Sequence, residues 1–282
     1  MKNGLILEGG GLRSLFSAGI CDSWLEEDIH FDAIIGVSGG ALFGCNFKSH
    51  QYGRALRYNT RFKDDPRYMG LRTFLKTGNI IGTEFAYHIL PFELDPIDNE
   101  AFTNDPAEFY VVVTDVKTGL PAYHRIDTFD HESCEWMRAT GSMPLVSQPV
   151  HLDGHIYLDG GMSDSIPLKK SQEMGFGRNV VILTRPRGYK KTPSKIIWAF
   201  KLFCRKYPKI AECMARRYDE YNKQVEYMLE QEKAGNALLI FPDEALQIGR
   251  TELNEDKMNR VTQIGRDKGK EMEEKVKDFL SH

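Results

Sequence analysis

From Asp32 to Leu42 the chain reads Asp-Ala-Ile-Ile-Gly-Val-Ser-Gly-Gly-Ala-Leu, a Gly-x-Ser-x-Gly turn between an apolar run and an apolar helical pattern. A serine at such a turn takes up a strained backbone that small neighbours, here Gly36 and Gly40, permit. Its hydroxyl then projects above a sheet at the positive end of the following helix, where developing negative charge is stabilised. The preceding unit has the same shape. Residues 4–7 read as a strand, Glu8-Gly9-Gly10-Gly11-Leu12-Arg13 as a glycine turn, and residues 12–27 as a helix with Leu15, Phe16, Gly19, Ile20 and Trp24 at helical spacing. Strand, glycine turn and helix, repeated in the first 45 residues, form the building unit of an α/β sheet with helices on both faces.

Further strands are predicted at 33–37, 109–114, 156–158, 180–184 and 237–241. Several are continuously apolar, as buried parallel strands are. Residues 48–106, rich in Arg, Tyr, Pro and Asp with weak periodicity, read as irregular helical insertions in a position suited to covering a substrate. A polar helix is expected at about 218–233. A terminal helix is expected from about Glu255, with Met258, Val261, Ile264, Met272, Val276 and Phe279 near one face. The hydrophobic fraction of 41% supplies ample core, and no linker rich in Pro, Gly or Ser divides the 282 residues.

A net charge of −3 hides an uneven distribution. Residues 185–217, from Arg185 to Arg217, hold eleven Lys and Arg against one acid, Glu212. A basic patch on an acidic body suits an anionic surface, and the mixture of cations with Trp198, Phe200 and Leu202 predicts reversible docking on anionic membranes. On a helical wheel the segregation is imperfect, so a solvated edge helix with its aromatics in the core stands beside that reading. No nucleic-acid module is present, so no nucleic acid is expected as partner. Five cysteines without a C-x-x-C pair argue against a disulfide framework or zinc site, and no acidic cluster has calcium-loop spacing. No metal or cofactor is expected. With no signal-peptide pattern and no apolar run of about 18 residues, the expected setting is cytoplasmic, peripheral to a membrane at most.

Consecutive glycines at 9–11 let backbone N–H groups face an anion closely. The dinucleotide fingerprint fails at Ser14, and the phosphate-loop pattern lacks its Gly-Lys-Ser/Thr. An oxyanion hole, a bare tight turn or a hold on a phosphorylated ligand remain. A serine nucleophile needs a base. The eight histidines (His30, His50, His88, His124, His131, His151, His155, His282) lie in no catalytic context, although His151 and His155 flank a predicted strand. Asp159, in Ile156-Tyr157-Leu158-Asp159-Gly160-Gly161, ends that strand. It would share the carboxyl edge of the sheet with Ser38 if the strands are parallel.

Gly-Gly-Gly-Leu-Arg, then Gly-Val-Ser-Gly-Gly, then Asp-Gly-Gly resemble, in order and spacing, the three signature blocks of the patatin-like phospholipases. Arg138-Ala-Thr-Gly-Ser-Met-Pro144 is similar to the family's small-residue stretch before the aspartate. The resemblance covers residues 1 to about 185, and Ser14 departs from a glycine often found there. It implies a three-layer patatin-like α/β fold with a mostly parallel central sheet. It also implies a Ser38–Asp159 dyad without histidine, an oxyanion hole from Gly9, Gly10 and Gly11, and hydrolysis of acyl lipids. Arg13 would order the glycine loop or hold anionic substrate, and Gly160 and Gly161 would support Asp159. Residues 1–185 would form the catalytic core and 186–282 an extension packed on the same domain. The alternatives are a Ser–His–Asp esterase using Asp115 with His151 or His155, and a non-catalytic binder of a phosphorylated ligand.

Overall fold

The computed structural model of the chain describes residues 1–27 and 29–281, so His282 lies outside the described residues. In β1 (Asn3–Leu7), Leu5 and Leu7 enter the core on one face and Ile6 on the other. Both faces are covered, which is why the run is apolar without alternation. A 3-10 turn at Gly11–Ser14 leads into α1 (Leu15–Leu25). The helix predicted over 12–27 therefore divides into a tight turn and a shorter helix. The wholly buried β2 (Ala33–Val37) and α2 (Gly39–Lys48) follow.

The insertion is helical and irregular. It contains α3 (Arg54–Arg61), α4 (Leu71–Thr77), a wide π-type turn over Phe85–Leu94 and α5 (Asn99–Asn104). Its weak periodicity has a physical reason, because polar anchors help to hold it. The buried Arg54 donates to Asn46 Oδ1 at 2.8 Å and to the Asp95 carbonyl at 3.1 Å, and Arg57 pairs with the Asp95 carboxylate at 2.8 Å.

The remaining elements are β3 (Glu108–Asp115), β4 (Pro121–Ile126), α6 (His131–Gly141), β5 (Val150–Leu152), β6 (His155–Asp159), α7 (Leu168–Glu173), β7 (Arg178–Ile182), α8 (Ile197–Phe203), α9 (Pro208–Lys233), β8 (Ala237–Ile240) and α10 (Glu255–Ser281). β1 is central, flanked in parallel by β2 and β7, with β3 beyond β2 and β8 beyond β7, also parallel. β4 and the β5–β6 hairpin are antiparallel. The sheet has eight strands and is mixed, with its parallel part in the middle. One face packs on α1, α2 and α10, the other on α9 through Tyr221 and Met228. The chain after residue 185 thus contributes β8 and the two longest helices.

Two strands escaped the pattern reading. β4 is half exposed, so its Tyr, His and Arg conceal it. β5 is three residues long, although Asp153 and Gly154, both at positive φ, form the Asp-Gly turn that marks a hairpin. α9 begins ten residues earlier than the predicted helix, with Pro208 at its first turn.

α1 and α10 pack along their lengths, with Trp24 Nε1 donating to the Gly269 carbonyl and Arg266 bound to Asp22 at 2.7 Å. At Gly265 a Cβ would stand 2.1 Å from the Phe16 carbonyl oxygen. Gly265→Ala adds about 1 kcal/mol of helix propensity but overpacks a backbone contact, which costs about 1–3 kcal/mol. We expect a lower urea midpoint; an unchanged or raised midpoint would mean the helices separate without penalty.

Candidate active site

β4 occupies one edge of β3 from Phe109 to Thr114, so β2 and β6 must share the other. Along it, Val37 of β2 stands opposite Val112, and Asp159 of β6 stands opposite the next residue, Val113. The two strands run towards each other and meet end to end. Asp159 therefore reaches Ser38 on an antiparallel strand, a correction to the expectation that parallel strands would share one edge. The Ser38 Oγ donates to Asp159 Oδ2 at 2.7 Å.

Ser38 has φ 53°, a left-handed conformation that serine rarely adopts. The turn is tight enough that a Cβ on Gly36 would lie 2.4 Å from the Ala41 Cα, and one on Gly40 would lie 2.3 Å from the Leu7 carbonyl oxygen. The Ser38 carbonyl accepts from the N–H groups of Ala41 and Leu42, which starts α2.

Thr140 holds the turn from below: its Oγ1 accepts from the Ser38 N–H at 2.9 Å and donates to the Val112 carbonyl at 2.6 Å. Two residues on, the Ser142 carbonyl accepts from the Asp159 N–H at 2.9 Å. The stretch from Arg138 to Pro144 thus fixes both members of the pair. Thr140 was missed as a site residue, although its small-residue segment was the available signal.

Asp159 is buried, and its second oxygen accepts from the Gly161 N–H at 2.7 Å. Gly160 packs on Val112, where a Cβ would lie 2.1 Å from the carbonyl oxygen. Burial raises the Asp159 carboxyl above the ordinary aspartate range, against the lowering influence of the Ser38 hydroxyl, the Gly161 N–H, Arg217 and Arg250. Enclosure thus makes this carboxylate more basic than an exposed aspartate.

The glycine loop lies against the serine. A Cβ on Gly9 would sit 2.9 Å from the Ser38 Cβ, and one on Gly39 would sit 3.0 Å from the Gly11 nitrogen. Gly11 has φ +58°, and its Cα abuts Arg250. The N–H groups of Gly9, Gly10 and Gly11 donate to no acceptor among the described residues. Gly10 is buried, where N–H groups without partners are rare, and such a row of donors suits an incoming anion. Arg13 is buried beside the loop, and its Nε also lacks a partner. Glu8 anchors the loop, with its carboxylate accepting from Thr184 N at 2.6 Å and from the Tyr221 hydroxyl at 2.8 Å.

Two cavities meet at Ser38. One, of about 1050 Å³ and open to solvent, is apolar, with Leu42 on α2, Met137 on α6, and Tyr58, Met69, Ile81 and Leu90 from the insertion. The other is lined by cations, Arg13, Arg185, Lys191, Arg217 and Arg250, together with Gly9–Gly11 and Asp159. Three of these belong to the segment read as a basic surface patch, and its ends fold back into the site instead.

Among the described residues, no histidine lines either cavity. His155 Nδ1 does donate to Asp115 Oδ2 at 3.0 Å, but at the opposite end of β6, about 13 Å along the strand from Asp159. His151 is exposed. Among the described residues, no group of three or more His, Cys, Asp or Glu is placed to hold a metal ion.

The family model described as patatin-like phospholipase matches residues 5–170, and one described as a domain of unknown function matches residues 207–281. The uncharacterized protein YjjU of Escherichia coli is 30% identical over 67% of this chain and 54% of its own length. Lysophospholipase nte1 of Aspergillus oryzae is 26% identical over 61% of this chain and 11% of its own. The chain thus aligns with about half of the first relative and about a tenth of the second. The crystal structure of VipD from Legionella pneumophila aligns with 96% of this chain and 66% of its own at 11% identity, with a TM-score of 0.49. With the family model matching more than half of its residues, the chain belongs to the patatin-like phospholipase family.

Proposed function

We propose that the chain is a serine acyl hydrolase that cleaves lipid carboxylic esters through Ser38 and Asp159. The observation that carries the reading is the Ser38 hydroxyl, held at positive φ and donating at 2.7 Å to a buried carboxylate at the mouth of an apolar cavity. The name lysophospholipase borne by the fungal relative supports a phospholipid acyl ester as substrate.

Asp159 accepts the Ser38 proton as Oγ bonds to the ester carbonyl carbon. The oxyanion is held by the Gly10 and Gly11 N–H groups, with Gly9 beside them; such donors each contribute about 3 kcal/mol to lowering the barrier. Collapse expels the alcohol, which takes the proton from Asp159, and leaves an acyl-enzyme. Water then gives a proton to Asp159 and attacks the acyl carbonyl, and Ser38 departs reprotonated as the fatty acid leaves.

Hydrolysis of a chromogenic medium-chain ester is the direct test. Ser38→Ala and Asp159→Asn are expected to lose activity on the order of a thousandfold or more, and His151→Ala/His155→Ala to keep it. Loss in the histidine variant with survival of Asp159→Asn would hand the site to a triad. A wild type inactive on this ester and on phospholipid vesicles would favour a binding protein.

The raised Asp159 carboxyl has two consequences. Activity needs the carboxylate, so kcat/KM should fall with decreasing pH through a midpoint above the usual aspartate value of about 3.9. For stability, a folded-state pKa above the unfolded one gives a contribution present at low pH and lost as pH rises through the folded value. At pH 7 the buried charge is therefore a burden, and Asp159→Asn should unfold at a higher urea concentration than wild type. A midpoint in urea that is lower at pH 7 would contradict that assignment.

We propose also that α8 docks on anionic membranes. Ile196, Trp198 and Leu202 are 50%, 64% and 46% exposed, beside exposed Lys195, Lys201, Arg205 and Lys206, while Phe200 and Cys204 are buried. The aromatics of the helix thus divide between surface, at Trp198, and core, at Phe200. No helix among the described residues is long and apolar enough to cross a membrane, so attachment would be interfacial. Binding to anionic vesicles should weaken with salt and with Trp198→Glu; binding indifferent to lipid charge and salt would refute the docking.

A further inference from the structure

The cavity on the cationic side of Ser38 has more positive charge than its own residues neutralise. Arg13, Arg185, Lys191, Arg217 and Arg250 line it with two carboxylates, Glu8 and Asp159. Both carboxylates are already engaged. Glu8 accepts from Thr184 and Tyr221, and Asp159 from Ser38 and Gly161. None of the five cations forms a salt bridge among the described residues. What they do touch is neutral. Arg217 Nε donates to the Gly161 carbonyl, Arg250 Nη1 reaches Met143 Sδ at 3.6 Å, Arg185 stacks on Tyr189, and Lys191 Nζ stands 3.6 Å from the Tyr221 ring centroid. Arg13 is 8% exposed and its Nε has no partner.

Buried charges are normally paired, and an unpaired one is strongly destabilising. Here burial and mutual repulsion push Arg13 down to about 10 and Lys191 to about 6, low enough for Lys191 to give up its proton at neutral pH while the four guanidiniums keep the excess charge. An anion in the cavity relieves both effects. Guanidinium forks match phosphate oxygens in pairs, which makes phosphate the fitting anion.

Position decides what carries the phosphate. Gly11, Ser38, Met143 and Arg250 line both cavities, so an ester seated at Ser38 has its acyl chain beside the apolar space and its alcohol beside the cations. We infer that the cationic cavity is a subsite for a phosphomonoester on the alcohol side of the scissile ester, as in an acylglycerol phosphate, in preference to a phosphate capped by choline. A quaternary ammonium group is recognised by free aromatic faces; Tyr189 and Tyr221 already carry Arg185 and Lys191 on theirs, and the surrounding cations repel it. Arg185, Lys191, Arg217 and Arg250 all lie beyond residue 170, where the patatin-like match ends. The subsite is thus built by this chain's later residues.

The inference rests on the acyl hydrolase reading, and its test keeps the two separate. Rates are compared on three substrates with one acyl chain: monoacylglycerol, monoacylglycerol phosphate and its choline ester. The expected kcat/KM for the phosphomonoester exceeds both others by tenfold or more. That ratio should collapse towards unity in Arg185→Gln and in Arg250→Gln, whose side chain sits at the mouth, and persist in Lys275→Gln, an exposed lysine on α10 that lines neither cavity. Inorganic phosphate should inhibit monoacylglycerol hydrolysis competitively, and less so in Arg185→Gln. Hydrolysis of all three at equal rates, without phosphate inhibition, would overturn the subsite and leave the hydrolase intact. Phosphate binding by calorimetry without any substrate preference would overturn it too, in favour of a free-phosphate site. If none of the three is hydrolysed, it is the hydrolase reading that fails.

Discussion

Two strands compete for one edge of β3, and each stops where the other begins. Val37 takes the position opposite Val112 and Asp159 the position opposite Val113. Ser38 is the first residue after β2, and Asp159 the last of β6, so a shift of one residue in either strand would turn the side chains to the other face. Thr140 and Ser142 pin both ends through backbone groups, and Thr140 ties the turn to Val112 itself. The strained backbone at Ser38 can persist because the surrounding packing leaves no room to relax: Gly40 meets Leu7, Gly160 meets Val112 and Gly9 meets the serine itself.

Enclosure of Asp159 has opposite effects on stability and on reactivity. In the proposed reaction a carboxylate in water would hold the serine proton weakly, and a buried one would hold it more strongly, at a cost to the folded state. Arg217 and Arg250 moderate that cost, and they are also part of the cationic wall. The same charges therefore favour the ionised form of Asp159 and, in the proposed subsite, would receive an anion. One electrostatic arrangement would then serve the proposed base and the proposed substrate group together.

The division of labour follows the chain. Residues within the patatin-like match supply the serine, the aspartate and the glycine loop, and its insertion supplies much of the apolar cavity wall. Residues beyond it supply most of the cations, with α9 and the loop before α10 bringing Arg217 and Arg250. α10 is locked to α1 by backbone contact at Gly265, and β8 by its ladder with β7, so these later residues are held against the same sheet.

The amino-acid sequence by itself determined the local units. Gly36-Val-Ser38-Gly-Gly40, set between an apolar run and an apolar helical pattern, marks a sharp strand-to-helix turn, and buried parallel strands must be apolar on both sides, so β1, β2, β3, β7 and β8 were legible within a residue or two. β4 was not, because an edge strand needs no apolar face. Only tertiary structure decided that β6 runs antiparallel and meets β2 head-on, since strand direction depends on which edge is vacant and not on the residues of the strand. It alone decided that Thr140 clamps the serine. It likewise drew Arg185, Lys191, Arg217 and Arg250, spread over 66 positions, to one cavity. A cation in a sequence records its charge and nothing of its neighbours; what a charge does is set by the carboxylates, ring faces and vacancies that folding brings beside it.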